Sequence, residues 1–457
     1  QAMRRASADE LNSLECCLRD LGSCVHLRAR ESAQALHEHS AVRAVVGEEG
    51  EGLSPLFCQT FGPAFGHLAS GEMMYLSRRF LQNNAEKRDI LKHMYVRVIV
   101  DMKRLQDELP SSLGPGLQNL KRIFEALSVF AQARIDLMSI YSTLAECRLP
   151  VPYSRLAEQA ATLAVEMEPF CSVDFLDCLV ALYRRELAVL RGLLQGQTAI
   201  ERLDLKESVT HLMSAKSELA GMDDQSASRA SASASRLWSW DQEGKKKKQG
   251  PDGTALFIWL REFHQTLAAK LGLYFHAAFA PMERVVPAEG ERWGGWRKTD
   301  SKEPTLVETV ESFVRRVEGA TVSILLDMNS VGTPFSHAAY VPQHDAYQQR
   351  DDDVDGLARL PIILSIPSSV SLVMHHPGLV CLMMDEATVL SHYAAAAYYY
   401  DKGTNTTYYL VRVEASLTLA VTVIGSKKAK LDKTINDFLS AICSTLRNQT
   451  VLAMLSQ

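Results

Sequence analysis

Apolar positions along the chain fall into two regimes. Up to about residue 225 they recur every three or four residues in long runs, the period of one buried helix face. After Thr321, alternating and continuous apolar runs enter, which is the mark of strands. The most regular stripe lies between. Leu256, Leu260, Phe263, Leu267, Leu271, Tyr274 and Ala278 are four, three, four, four, three and four residues apart. Phe257, Trp259, Phe275 and Phe279 widen that stripe beyond what a solvent-facing helix needs. The helix 256–279 is therefore expected to be contacted on two sides and to dock one domain against another.

The first half predicts helices in series. Asp9 caps a helix whose face is Leu11, Leu14, Leu18, Leu21 and Val25, and the run GEEGEG at 47–52 breaks it. A Gly-interrupted helical stretch covers 53–81. A clear helix carries Leu91, Met94, Val98, Met102, Leu105 and Leu109 and stops at Pro110. The next runs through Leu120, Phe124, Leu127, Ala131, Met138, Tyr141 and Leu144 before Pro150 and Pro152. Another begins near Ser154. One more carries Val173, Leu176, Val180, Tyr183, Leu187, Leu190 and Leu194, and a last one covers 199–219. Short loops between long amphipathic helices predict antiparallel neighbours, hence a bundle over 1–225. No fixed repeat length supports a solenoid.

A biased stretch follows. The segment 226–254 alternates Ser with Ala and then sets Lys245 to Lys248 between glycines. It cannot bury enough apolar surface to offset its chain entropy, which predicts a flexible linker. The lysines are a candidate contact for acidic lipid headgroups, so any membrane association is at most peripheral.

The remainder, 255–457, reads as a sheet domain opened by helix 256–279. A loop at 281–304 holds Trp293 and Trp296. Leu306, Val310, Phe313 and Val317 mark a helix stopped by Gly319. Strands are predicted at 321–328, 360–366 and 379–384, the last apolar throughout and so central, followed by a helix over 387–400. The clearest hairpin places Thr407, Tyr409, Val411 and Val413 opposite Leu417, Leu419, Val421 and Val423, across a turn at Glu414 and Ala415. Leu431, Ile435, Phe438, Ile442 and Leu446 form a closing helix. The fold class is α+β and multidomain: a helical bundle, then a mostly antiparallel sheet with helices over a face. Its order resembles small longin/roadblock/profilin-like sheets, a likeness of shape alone.

Composition narrows the function classes. The chain has 457 residues, too many for one core, and 47% hydrophobic with 23% charged residues is globular composition. A formal net charge of −5 supplies no electrostatic reason to expect nucleic acid. No apolar run approaches about 18 residues, so no spanning helix is predicted. The opening QAMRRASADE shows no secretory signal, and its lack of Met is consistent with a missing native N-terminal piece. Nine cysteines, an odd number with no CxxC, read as core thiols in a reducing compartment. The sequons at Asn405 and Asn448 carry little weight without a signal peptide.

Candidate chemistry is sparse. Asp351, Asp353, Asp355 and Gly356 match the start of a calcium loop, but the position that should hold Glu is Ile362. His337, His344, His375 and His376 lie in or near that loop without zinc spacing to Cys. His37 and His39 are two apart and sit on different helix faces. No phosphate-loop, dinucleotide, nucleophile-elbow or zincin motif is present, and Gly425-Ser426-Lys427-Lys428 lacks the first Gly of a phosphate loop. No catalytic, cofactor-binding or metal-ligating residue is assigned. Trp238, Trp240, Trp293 and Trp296, bulky and outside the expected cores, are the candidate partner contacts. Ser7 and Ser231 follow arginines in basophilic-kinase patterns.

Several short stretches carry a resemblance. Leu256-Phe257-Ile258-Trp259-Leu260 with Tyr274-Phe275-His276, then Val373-Met374-His375-His376-Pro377, then Gly425-Ser426-Lys427-Lys428, resemble the family of KICSTOR subunit 2. The closing stretch from Tyr408 to Leu455 follows the same pattern, and the likeness near 53–80 is fainter. The Ser/Ala/Lys linker and the acidic run at Asp351 depart from it. The resemblance implies a non-enzymatic subunit of a complex at the lysosomal surface. Its implied partners are kaptin, an FG-GAP repeat protein, a very large scaffold protein and the GATOR complex, with restraint of the target-of-rapamycin kinase when nutrients are scarce. It implies no catalytic residues and no cofactor. Two rival readings stand beside it: a metal-dependent hydrolase using the loop 337–355, and a small-GTPase regulator acting through the sheet.

Overall fold

A computed structural model describes Arg30, Gln34 and residues 55–82, 85–108, 115–168, 176–229, 255–279, 304–328, 356–367, 371–393, 396–425 and 429–456. The predicted helix carrying Leu11 to Val25 and the segments 230–254, 280–303 and 329–355 lie outside the described residues.

From Pro55 onward the described residues form α1 (Pro55–Leu76), α2 (Ala85–Glu108), α3 (Pro115–Glu146), α4 (Tyr153–Met167), α5 (Asp177–Glu201) and α6 (Leu205–Arg229). Each packs on the next. The faces predicted for α2, α3 and α5 are buried, with Leu91, Val98, Met102 and Leu105 on α2, Phe124, Leu127, Tyr141 and Leu144 on α3, and Val180, Tyr183, Leu187 and Leu190 on α5. The boundary between the last two differs from the sequence reading. The helix expected over 199–219 begins at Leu205, because α5 runs on to Glu201 and the chain turns at Leu203 with φ +55°. Helix α6 continues to Arg229, into the segment read as linker.

Helix α7 (Ala255–Tyr274) is buried at Leu256, Trp259, Leu260, Phe263, Leu267, Leu271 and Tyr274. It packs against α5 and α6 on one side and against later elements on the other. Helix α8 (Leu306–Arg316) starts with a capping box. Glu308 N donates to Thr305 Oγ1 at 3.2 Å, and Thr305 N donates to Glu308 Oε2 at 2.8 Å, satisfying two otherwise orphaned N–H groups.

The sheet contains β1 (Ala320–Leu326), β2 (Ile362–Ile366), β3 (Ala397–Asp401), β4 (Thr406–Arg412) and β5 (Leu417–Ile424). Its order is β2-β1-β5-β4-β3, with every pair antiparallel. The hairpin register follows the sequence pattern, with Tyr409 opposite Val421 and Val411 opposite Leu419. Both faces are covered. Val322, Ile324, Tyr409 and Leu419 join the main buried cluster together with α8 and α11 (Ala429–Leu446), where Phe313 stacks on Phe438 at 3.8 Å. Leu325, Tyr408, Leu410 and Ala420 form a second cluster under α9 (Ser371–Asp385) and α10 (Ala387–Ser391). The short α12 (Gln449–Ala453) ends the chain's helices.

Two expectations are corrected here. Residues 379–384 are not a strand; they are the second half of α9. A continuous apolar run fits a buried strand and a packed helix equally, and periodicity cannot separate them. The helix expected over 387–400 stops at Ser391, and Ala397–Asp401 is strand β3. There Tyr398, Tyr399 and Tyr400 pair with Tyr409, Tyr408 and Thr407, so β-pairing of aromatic residues prevails over the helix propensity of the preceding alanines. The outcome is an α+β, mostly helical fold with one five-stranded antiparallel sheet among the described residues.

Candidate functional site

Two polar clusters lie inside this fold. The first sits where α7 meets the helices and the sheet. Lys270 of α7 is fully buried, forms an ion pair with Glu414 at the β4–β5 turn, and donates to Gln197 Oε1 at 3.1 Å. Gln197 Nε2 donates to Glu201 Oε1 at 2.9 Å and to Glu414 Oε1 at 3.2 Å. Asn448, which links α11 to α12 with φ +60°, donates to Gln197 Oε1 at 3.1 Å and to Tyr153 Oη at 3.0 Å. Glu414 alone is paired with the ammonium; Glu201, half-buried, is held through Gln197. Burial first, and then the charge of Glu414, push the Glu201 carboxyl up to about 7, against the opposing bond from Gln197 and the charge of Lys270.

The second cluster ties four helices together. Arg134 of α3 is fully buried. Its Nε and Nη2 reach Glu72 of α1 at 3.0 and 2.8 Å, and its Nη1 reaches Glu186 of α5 at 2.6 Å. Tyr95 of α2 donates to Glu72 at 2.7 Å; Tyr75 and Tyr141 donate to Glu186 at 2.6 and 3.1 Å. Burial opposes the charge on Arg134, but Glu72 and Glu186 outweigh it and hold its pKa well above the usual value. Burial pushes all three phenols upward. Each group in this cluster is engaged by its neighbours, so its chemistry is that of an internal clamp.

The surface offers something different. Helix α9 covers the sheet with Leu379, Val380, Leu382 and Met383 and turns Met374, Pro377, Cys381 and Met384 outward. That outer stripe has no charged residue between Ser371 and Met384. Met374 is 81% exposed and Met384 58%. Beside the first turn of α9, His375 Nδ1 and Tyr408 Oη are 3.0 Å apart, and Tyr399 lies directly across from Tyr408 on edge strand β3. Tyr398 and Tyr399 are 54% and 50% exposed. The β3–β4 turn is closed by Asp401, which accepts from Gly403 N at 2.8 Å and Thr404 Oγ1 at 2.7 Å.

The residues singled out from sequence separate accordingly. Trp238, Trp240, Trp293 and Trp296 lie outside the described residues. So do His37, His39, His337, His344, Asp351 to Asp355, Lys245 to Lys248, Ser7 and Ser231. His375 and His376 do not converge: His376 Nε2 donates to Leu360 O at 2.7 Å, while His375 meets Tyr408. Among the described residues no group of three or more His, Cys, Asp or Glu is placed to hold a metal ion, and no helix is long and apolar enough to cross a membrane. The sequence does not reveal the α9 stripe, because the apolar run 379–384 fits a strand as well as a helix. Read as helix, Met374, Pro377, Cys381 and Met384 fall at i, i+3, i+7 and i+10, one face.

Comparison with known proteins gives a consistent result. Residues 56–457 match the family model described as KICSTOR complex C12orf66 like. The chain is 25% identical over 399 residues to KICSTOR subunit 2 of Danio rerio, covering 84% of each chain. It is 23% identical over 408 residues to KICSTOR subunit 2 of Xenopus laevis, covering 86% of each. The family match takes in α1 through α12 and the whole sheet, so it extends well beyond the short motifs around Trp259 and His375. The chain belongs to the KICSTOR complex C12orf66-like family.

Proposed function

We propose that this protein is a non-enzymatic scaffold subunit of a KICSTOR-type complex. It would hold the GATOR complex at the lysosomal surface and so restrain the target-of-rapamycin kinase complex when nutrients are scarce. The observation that carries this reading is the family match over 56–457, together with two relatives that bear the name KICSTOR subunit 2. The mechanism is tethering, which raises the effective concentration of one partner beside another. Kaptin, an FG-GAP repeat protein and a very large scaffold protein are the partners we propose for it.

The architecture suits such a role. Consecutive packing of α1 to α6 supports an antiparallel bundle, and the order β2-β1-β5-β4-β3 with helices on both faces supports a longin/roadblock/profilin-like sheet. The clamp at Arg134 and the cluster at Lys270 stiffen the body from which surfaces are presented.

The test is affinity purification of the tagged chain from its own cells, read by mass spectrometry, with imaging against a lysosomal marker. Recovery of the three subunits and the GATOR complex, with lysosomal signal, is expected. A chain that recovers none of them and stays diffuse overturns the proposal.

A further inference from the structure

The two edges of the sheet are unlike. Strand β2 is bracketed by Pro361 and Pro367, which lack the N–H a neighbouring strand would need, and it lies against α8. Strand β3, the other outermost strand among the described residues, has no proline, no lysine and no bulge within Ala397–Asp401. Instead it exposes Tyr398 and Tyr399, and Tyr399 lies across from Tyr408, which His375 of α9 meets.

We propose that β3 is the edge through which two copies of this chain pair, antiparallel, joining their five-stranded sheets into one. Charge and symmetry favour a second copy as the occupant. A two-fold axis through the middle of β3 presents each edge with an identical one of the right length and polarity. Residues 397–400 and 371–384 carry no charged residue, so like meets like without repulsion. In the register centred on Tyr399, the one charged residue of the strand, Asp401, falls opposite Ala397 of the other copy. Its carboxylate is already turned back into its own turn by Gly403 and Thr404. Tyr399 of each copy then loses its exposure to water on the α9 side, and Tyr398 does so on the opposite face.

Sedimentation of the purified full-length chain over a range of concentrations tests this without any other subunit. Failure would therefore leave the scaffold reading standing. The expected limit is twice the 50.7 kDa chain mass. Tyr399→Lys should weaken the association by about tenfold or more. Val165→Lys, at a more open apolar position on α4 (67% exposed), should leave it unchanged. Circular dichroism establishes that each variant is folded. Tyr399→Cys supplies an independent reading. Directly opposed residues of an antiparallel pair have Cα atoms about 4.5–5.5 Å apart, within the span of a disulfide. A disulfide-linked dimer above the wild-type background is expected for that variant and not for Val165→Cys. A chain that stays monomeric at every concentration overturns the proposal. So does a dimer that Tyr399→Lys leaves intact and Tyr399→Cys fails to capture.

Discussion

The indole of Trp259 donates to the backbone carbonyl of Val451 at 2.7 Å, and this bond joins α7 to the last helix of the chain. Trp259 also stands edge-on to Tyr141 of α3 at 5.8 Å. One fully buried side chain thus touches an element from the helical half and one from the end of the mixed half. Removing the donor with Trp259→Phe leaves Val451 O unpaired and should cost about 1 kcal/mol. Trp259→Ala adds a cavity and should cost about 3–5 kcal/mol. Urea unfolding measures both, and equal losses for the two variants would contradict this account.

The Arg134 clamp predicts an asymmetry. Arg134→Met leaves Glu72 and Glu186 facing one another in the interior without a cation, and should cost about 3–5 kcal/mol. Adding Glu72→Gln and Glu186→Gln in the same chain should recover part of the loss, because the uncompensated charges go with them. Thermal melts of the single and triple variants decide it; a triple variant less stable than the single one would count against the explanation.

Glu201 predicts a pH dependence. Its folded carboxyl is pushed up to about 7 from an ordinary 4.5. The folded chain therefore binds that proton more tightly than the unfolded chain. The resulting stability is complete below 4.5 and is lost as pH rises through about 7. Glu201→Gln retains the acceptor for Gln197 and removes the titration. Its advantage in melting temperature over wild type should be greatest on the alkaline side of neutrality and shrink toward the acidic side. Parallel melting curves against pH would show that Glu201 does not titrate in this way.

Two glycines should respond with opposite signs. Gly319 has φ +74°, and a Cβ there would lie 2.9 Å from Ile424 O, so Gly319→Ala should destabilise by about 1–2 kcal/mol or more. Gly66 lies inside α1 with nothing within 4 Å of an added Cβ. Gly66→Ala should stabilise by about 0.5–1 kcal/mol. Chemical denaturation of the pair checks both signs at once.

Much of the fold was legible because burial leaves a period in the sequence. The α7 stripe, the β4–β5 hairpin and the stop at Gly319 all appear where local pattern and turn chemistry place them. The α9 and β3 region was not legible. Its apolar run has no polar partner face to reveal a period, and its Ala and Tyr runs pull toward different structures. The buried clusters left only a faint trace, single charges on apolar faces: Glu72 near Leu68 and Ala69, Arg134 near Phe130 and Leu137, Glu186 beside Leu187.

By itself the sequence determined the α+β class, the helix and hairpin faces and the family likeness, because these depend on near neighbours along the chain. Only the tertiary structure decided that Arg134 meets Glu72 and Glu186, and that Lys270 meets Glu414. It alone placed Tyr398 and Tyr399 on the outermost strand of the described sheet, next to the strand that α9 covers. Those relationships join residues far apart in sequence, and the energy of a charge or an edge depends on what packing brings to it.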